Sequence, residues 1–304
     1  MTTNPSELVQ RIEQGVIGRN TPFRTCFGEK PLIYADYTAS GRSLTMIEDH
    51  IHQHVLPWYA NTHSETSFTG AQSTKLREEA RQLIREAVNA SDDDKVIFCG
   101  SGATTGINKM IDILGLRIPK NIDREFGVSA QIKPEQRPVV FIGPYEHHSN
   151  ELPWRESIAE VVTIPLNEQG QIDQVILLEQ LKRFEQRPLK IGSFSAASNV
   201  TGIRTDVLAI THLLKKEGAL AFWDYAAAGP YVAIDMNGDA PLDAVFISPH
   251  KFVGGPGTPG ILIAKQQILK NEVPAIVGGG TVMYVTPDDH RFIADHERRE
   301  EGGT

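Results

Sequence analysis

Residues Lys95–Gly115 read KVIFCGSGATTGINKMIDILG. The opening KVIFCG is a short apolar run of strand length, and Gly100 and Gly102 allow a tight turn after it. ATTGINKMIDILG then carries helical periodicity and stops at a glycine. The same strand–turn–helix unit recurs downstream. PVVFIG and EVVTIPL predict strands, and DQVILLEQLKRFEQ a helix. LKIGSFSA predicts a strand, DVLAITHLLKKEG a helix, and ALAFWDY, DAVFIS and GILIAK further strands. Several of these strands are apolar on both faces, which belongs to strands covered on two sides. The pattern predicts an α/β fold: a mainly parallel sheet flanked by helices.

Outward from that core the signals weaken. Residues 1–30 read as an N-terminal arm with one short helix. PLIYADY predicts a strand, and TMIEDHIHQHVLP a helix ending before Pro57. STKLREEARQLIREAVNA predicts a helix with a serine cap and Leu76, Ala80, Leu83, Ile84, Ala87 and Val88 on one face. Residues 117–137 read as a polar connection. After Lys270 the rhythm stops, and DHRFIADHERREEGGT is densely charged. The expected organisation is therefore an arm over 1–30, one large domain over 31–270 and a linker over 271–304.

The bulk numbers set limits. A chain of 304 residues with 40% apolar and 22% charged content can build a real core. A net charge of −8 argues against a general nucleic-acid binder. Two cysteines, Cys26 and Cys99, make no disulfide framework, so a reducing cytoplasm is expected. The start, MTTNPSELVQRIEQ, lacks the apolar core of a signal peptide, and no apolar run is long enough to span a bilayer.

In sheets of this kind ligands gather beyond the carboxyl ends of the strands. Ala103 and Thr104 begin a helix after KVIFCG, where free N–H groups and the helix dipole suit a phosphate; an ordinary strand–helix turn fits as well. His147 and His148 fall at the exit of PVVFIG, where an imidazole can stack on a ring or shuttle a proton, or simply face solvent. His50 and His54 share a helix face, but without a supporting Glu no metal site is expected. Asn199 follows LKIGSFSA as a hydrogen-bond donor. The apolar run of ALAFWDY leads into Asp224, either a helix-cap or turn residue or a counter-charge to a buried cation. DAVFIS runs into SPHKFVGGPGTPG, Ser248–Gly260, with His250 and Lys251. Gly255, Gly257 and Gly260 spell G-x-G-x-x-G, but two prolines interrupt it and a strand follows, so it is no dinucleotide fingerprint. Lys251 is a solvated lysine or, if desolvated beside other cations, a nucleophile toward aldehydes. A phosphate cup, a stacking histidine, an aspartate for a ring nitrogen and a lysine for an aldehyde are together the groups that pyridoxal phosphate needs.

The ordered motifs YADYTASG, SGATTGIN, EHHSNELPW, SNVTG, WDYAAAG and SPHKFVGGPGTPG resemble those of the class V, fold-type I pyridoxal-phosphate enzymes, above all the cysteine desulfurase and selenocysteine lyase branch. The resemblance runs from about Leu32 to Thr304. It implies the three-layer large domain of that fold, pyridoxal 5'-phosphate as cofactor, an amino acid substrate, and a homodimer binding neither nucleic acid nor membrane. It implies that Lys251 is the Schiff-base lysine, that Asp224 pairs with the pyridine nitrogen and that His147 stacks on the ring. Asn199 would lie near the cofactor's phenolic oxygen. Ala103, Thr104, Ser248 and His250 would hold the phosphate, with Thr304 reaching the neighbouring subunit's phosphate. Ala39, Asn61 and His63 would border the substrate. Two departures stand out. The desulfurases usually carry Gln three residues after the aspartate, where this chain has Ala227. The family also continues into a small domain beyond the point where this sequence stops. Neither Cys26 nor Cys99 lies where the desulfurase persulfide cysteine falls, so the sulfur reading rests on overall resemblance; without the small domain, little or no cysteine turnover is expected of these 304 residues.

Overall fold

The computed structural model describes residues 5–302. They fall into two units. One is made of residues up to Glu79 together with Pro249–Thr258; the other is Ala80–Ser248 together with the chain from Pro259 onward.

In the first unit, helix α1 (Pro5–Gly15) is followed by an antiparallel hairpin, β1 (Pro22–Thr25) and β2 (Gly28–Pro31). The strand expected in PLIYADY does not form beyond Pro31. Its polar groups go to local turns instead: the Tyr34 hydroxyl donates to the carbonyls of Asp36 (2.9 Å) and Ser40 (2.8 Å), and the Ala39 N–H donates to Asp36 O. Helix α2 (Thr45–His50) runs on through a wider and then a tighter turn to Trp58.

Helix α3 (Phe68–Ala87) begins five residues before the expected serine cap. Ser73 lies inside it, and its hydroxyl accepts the Ala60 N–H (3.0 Å). The face expected to be buried is only partly so: Val88, just past the helix end, is buried, whereas Leu83 is 66% exposed. Thr74 and Arg81, seven residues apart and outside that face, are buried as well. An apolar pattern cannot reveal a helix that turns its arginines inward onto carboxylates.

The second unit holds a seven-stranded sheet. Its strands are β3 (Asp94–Cys99), β4 (Val139–Ile142), β5 (Glu160–Thr163), β6 (Lys190–Ser195), β7 (Leu220–Asp224), β8 (Ala244–Ile247) and β9 (Gly260–Lys265). Their order is β3-β9-β8-β7-β6-β4-β5. Pairings from β8 to β5 are parallel, and β9 runs antiparallel to both of its neighbours. The mainly parallel sheet is as expected.

Helices α4 (Gly102–Ile113), α5 (Lys120–Phe126), α6 (Leu152–Arg155), α7 (Gln174–Arg183) and α8 (Val207–Lys216) connect the strands. Successive strand residues point to opposite faces. Phe222 belongs to the core cluster that includes Ile107 and Met110 of α4, while the Trp223 indole donates to Thr211 of α8 (3.0 Å), so these helices cover opposite sides. Every residue of β4, β6 and β8 is buried. α5 is absent from the expectations because KNIDREF is too short and polar to declare itself; Gly127, in the left-handed region (φ 60°), ends it.

Beyond β9 comes a second hairpin, β10 (Val282–Val285) with β11 (His290–Phe292), and then helix α9 (His296–Glu301). This charged segment is docked, with Glu297, Arg299 and Glu300 buried.

Candidate active site

In the second unit the expected residues collect at strand exits. The Ala103 N–H donates to the Ser248 hydroxyl (2.8 Å), joining the start of α4 to the exit of β8 across 145 residues. Gly260 makes this possible. Its N–H donates to Gly100 O (2.9 Å), and a Cβ there would lie 2.2 Å from Gly102 O, so β9 passes this turn only as glycine. The first N–H groups of α4 have no helical acceptor, and the dipole adds positive potential to them.

From α4 a chain of hydroxyls leads to His147. The Thr104 hydroxyl donates to Ser149 Oγ (2.7 Å), which lies 3.0 Å from His147 Nδ1. The Ser149 N–H also donates to Nδ1 (3.2 Å), an acceptor role that leaves the neutral ring's proton on Nε2. His147 itself is exposed.

Asp224 ends β7 with 4% exposure, between β6 and β8. Its Oδ1 accepts the Ala226 N–H (2.8 Å), and its carbonyl accepts the Ala196 N–H (2.9 Å). A carboxylate buried at a strand exit suits a cationic partner. Asn199 sits, partly buried, in the turn after β6, which Ser198 fixes by accepting the N–H groups of Val200 and Thr201 (both 3.2 Å).

Glu146, Asn150 and Ser195 went unremarked in the sequence. The Glu146 carboxylate accepts from the N–H groups of Gly143 (3.2 Å) and Ser195 (3.1 Å), from the Ser195 hydroxyl (2.6 Å) and from the Asn150 amide (2.8 Å). Withdrawal from water pushes its acid up to about 7 against the pull of the Ser195 and Asn150 hydrogen bonds, and the nearby Asp224 charge adds to the rise. Ser149 was also passed over, although its place two residues after His147 in a turn was the available signal.

The first unit holds the other expected residues. Lys251, partly buried, closes the short turn Pro249–Lys251. The Gly41 N–H donates to His250 O (2.8 Å), which ties that turn to the segment containing Ala39. A Cβ on Gly255 would lie 1.9 Å from Pro249 O, so the glycine run is what lets the chain fold back behind the lysine. Burial, and next the Lys251 charge, hold the His250 imidazole below its usual range. Ala39 and Asn61 are exposed. His63 adopts φ 64° and donates its N–H to Thr74 Oγ1 (3.2 Å), while Arg77 donates to Thr62 Oγ1 (3.1 Å). Asn61 and His63 are thus presented on a loop pinned along α3. Thr304 lies outside the described residues.

Burial pushes the Cys99 thiol up to about 12, so it is no thiolate at neutral pH; Cys26 is exposed at the tip of the first hairpin. His50 and His54 stack with ring centroids 5.0 Å apart, and no cluster of three metal-ligating side chains occurs among the described residues. Among these residues no helix is long and apolar enough to cross a membrane.

Residues 33–304 match the model of the family described as aminotransferase class-V. A probable cysteine desulfurase of Streptomyces coelicolor is 27% identical over 278 residues, covering 90% of this chain and 62% of that protein. One from Staphylococcus epidermidis is 28% identical, with the same coverage. The chain thus spans less than two thirds of the length of these relatives. Among solved structures, the apo cysteine desulfurase of Thermococcus onnurineus aligns with all of this chain and 67% of its own, at TM-score 0.77 and 21% identity. The cysteine desulfurase CsdA of Escherichia coli, in an S-sulfonic acid form, aligns at TM-score 0.71 and 22% identity. At such identities these two likenesses establish the fold.

Proposed function

From the premise that the chain belongs to the aminotransferase class-V family, we propose that it binds pyridoxal 5'-phosphate within residues 31–270 and acts on an amino acid, in the manner of a cysteine desulfurase or selenocysteine lyase. We further propose that it works in the cytoplasm as a homodimer. The observation that carries the cofactor assignment is the junction of Ala103 and Ser248 at the start of α4. Two residues picked out for one phosphate are 145 apart in sequence and within one hydrogen bond of each other.

The donor set fits the group. Helix N–H groups with the hydroxyls of Ser248 and Thr104 match a phosphate, and the buried Asp224 carboxylate matches a protonated ring nitrogen. When bound, the cofactor supplies an aldehyde that captures amines and a ring that takes up electrons from the substrate carbon. The start of α4 would hold the phosphate, and Asp224 would hold a proton on the ring nitrogen. His147, oriented by Ser149, would face the ring. Lys251 would hold the group through its amine and would move the proton at the substrate Cα; its assignment rests on the SPHKFVGGPGTPG motif and the family.

Borohydride reduction of the protein loaded with pyridoxal phosphate, followed by peptide mapping, tests this. The label is expected on Lys251; on another lysine, or on none, it overturns the proposal. A second activity, transamination or epimerisation, is favoured by Ala227, which leaves out the amide usual in desulfurases. Products from cysteine separate the readings: sulfide with alanine for the first, a keto acid or inverted amino acid for the second.

A further inference from the structure

Glu146 stands directly before His147, yet the roles above leave it unused. Its four donors come from three places: Gly143 at the exit of β4, Ser195 at the end of β6, and Asn150 in the turn that carries His147. Asn150 is itself anchored. It accepts the Ser193 hydroxyl (2.6 Å) and the Trp154 indole N–H (3.3 Å), and donates to Ser193 O (3.2 Å). One residue past Ser195, the Ala196 N–H holds the Asp224 carbonyl (2.9 Å). A single carboxylate therefore fastens the His147 turn to the strand whose next residue fixes Asp224.

We infer that Glu146 is a positioning residue for His147 and Asp224 and that, because Ser195 is the register partner of Asp224 on the neighbouring strand, its charge acts on Asp224. Four donors hydrogen-bond the carboxylate and, among the described residues, no group accepts from it, an arrangement matched to the ionised form. Protonation would put an O–H among these donors and require the Ser195 hydroxyl to turn from donor to acceptor. Among the described residues, the titratable groups whose charge bears on Glu146 or is acted on by it are Asp224 on β7 and the adjacent Tyr145, whose hydroxyl is held at Thr205 (3.0 Å). The β4 exit and the His147 turn contribute only backbone and amide donors. Like charges close together raise each other's proton affinity. An ionised Glu146 thus strengthens the hold of Asp224 on any cation it binds.

Only the cofactor arm of the test rests on the function proposed above. In the cofactor-free protein, the side-chain carboxyl 13C resonance of Glu146 is followed against pH, with Glu146→Gln to assign it. In Asp224→Asn, which removes the neighbouring negative charge, the midpoint should fall by roughly half a pH unit or more. An unmoved midpoint overturns the inference. In the second arm, wild type, Glu146→Gln and Glu146→Asp are loaded with pyridoxal phosphate and the visible absorbance of the bound cofactor is titrated. The midpoint in Glu146→Gln should lie at lower pH than in wild type, with Glu146→Asp restoring most of the difference. Coincident midpoints for wild type and Glu146→Gln also overturn it. Wild type that takes up no cofactor defeats the function proposed above, while the carboxyl titration still decides the role of Glu146.

Discussion

Arg81 of α3 and Glu301 of α9, 220 residues apart, form a two-pronged ion pair: Nη1 donates to Oε1 at 2.8 Å and Nη2 to Oε2 at 3.0 Å. The pair guards a sheet edge. β3 is the outermost strand beside β9, so its outer N–H groups need partners. The Val96 N–H donates to Glu297 Oε1 (2.8 Å), the Phe98 N–H to Glu301 Oε1 (2.9 Å), and Arg81 also donates to Val96 O. Two residues along a strand match four along a helix, so one carboxylate meets each outward N–H. Arg85 pairs with Glu297, and Lys109 donates to Glu300 O (2.6 Å).

Arg81→Ala removes one partner and leaves Glu301 enclosed. Breaking a buried pair this way costs about 3–5 kcal/mol. Urea unfolding should show a loss of that order, whereas Leu83→Ala on the open side of α3 should change little. A loss under about 1 kcal/mol for Arg81→Ala would mean that α9 leaves the edge without cost to the core.

Ser248→Ala should weaken pyridoxal phosphate binding about tenfold, the worth of one hydrogen bond to a charged group. The hydroxyl lies at the helix start, where the phosphate is proposed to sit. Titration of cofactor absorbance checks this, with Ser149→Ala as comparison. Ser149 touches Thr104 and His147, and its loss should disturb the spectrum more than the affinity. Equal affinity for Ser248→Ala and wild type would remove Ser248 from the phosphate site.

The sheet was legible because β4, β6, β7 and β8 are apolar runs between turn residues, and such strands announce themselves wherever both faces are covered. Helix α7 was legible in DQVILLEQLKRFEQ, and Asp173 caps it by accepting the N–H groups of Val175 and Ile176. The Ala103–Ser248 junction was legible as two separate strand exits and the family's motifs. What stayed hidden was polar burial. The inner face of α3 carries Thr74 and Arg81, and α9 reads as a solvated tail because burying Glu297 and Glu300 requires cations from other elements. Glu146 was hidden for the same reason: its four donors come from Gly143, Asn150 and Ser195, which no local pattern connects to it.

Asp224→Asn should keep the cofactor bound and lose substrate α-proton exchange by about a hundredfold or more, the usual scale for removing one preorganised charge or donor. The Ala226 N–H can still be accepted by the amide oxygen, so the β7 exit should hold its shape. Exchange of the substrate α-hydrogen in deuterated water, followed by proton NMR, reads this directly. Unchanged exchange would take Asp224 out of the mechanism.

Glu146 should leave its mark on stability as well. Its acid is raised from 4.5 when unfolded to about 7 in the fold, with withdrawal from water as the main cause. Between those values the folded chain binds the proton and the unfolded chain does not. Stability must therefore fall as pH rises through this window. The contribution is full below about pH 4.5 and gone above about pH 7. His250 acts in the opposite sense, because its depressed affinity makes the folded state bind fewer protons just below the usual histidine range. A wild-type profile alone would blend the two, so the difference between wild type and Glu146→Gln is the useful quantity. Glutamine cannot ionise, and it leaves donors unmatched, which lowers stability by a nearly constant amount. Against that offset, the cofactor-free wild type should lose roughly 2 kcal/mol relative to Glu146→Gln between pH 4.5 and 7, allowing for solvent screening. Urea midpoints at half-unit pH steps measure it. Parallel profiles would mean that Glu146 titrates in the fold as it does in the unfolded chain, and that its four hydrogen bonds fully offset its withdrawal from water.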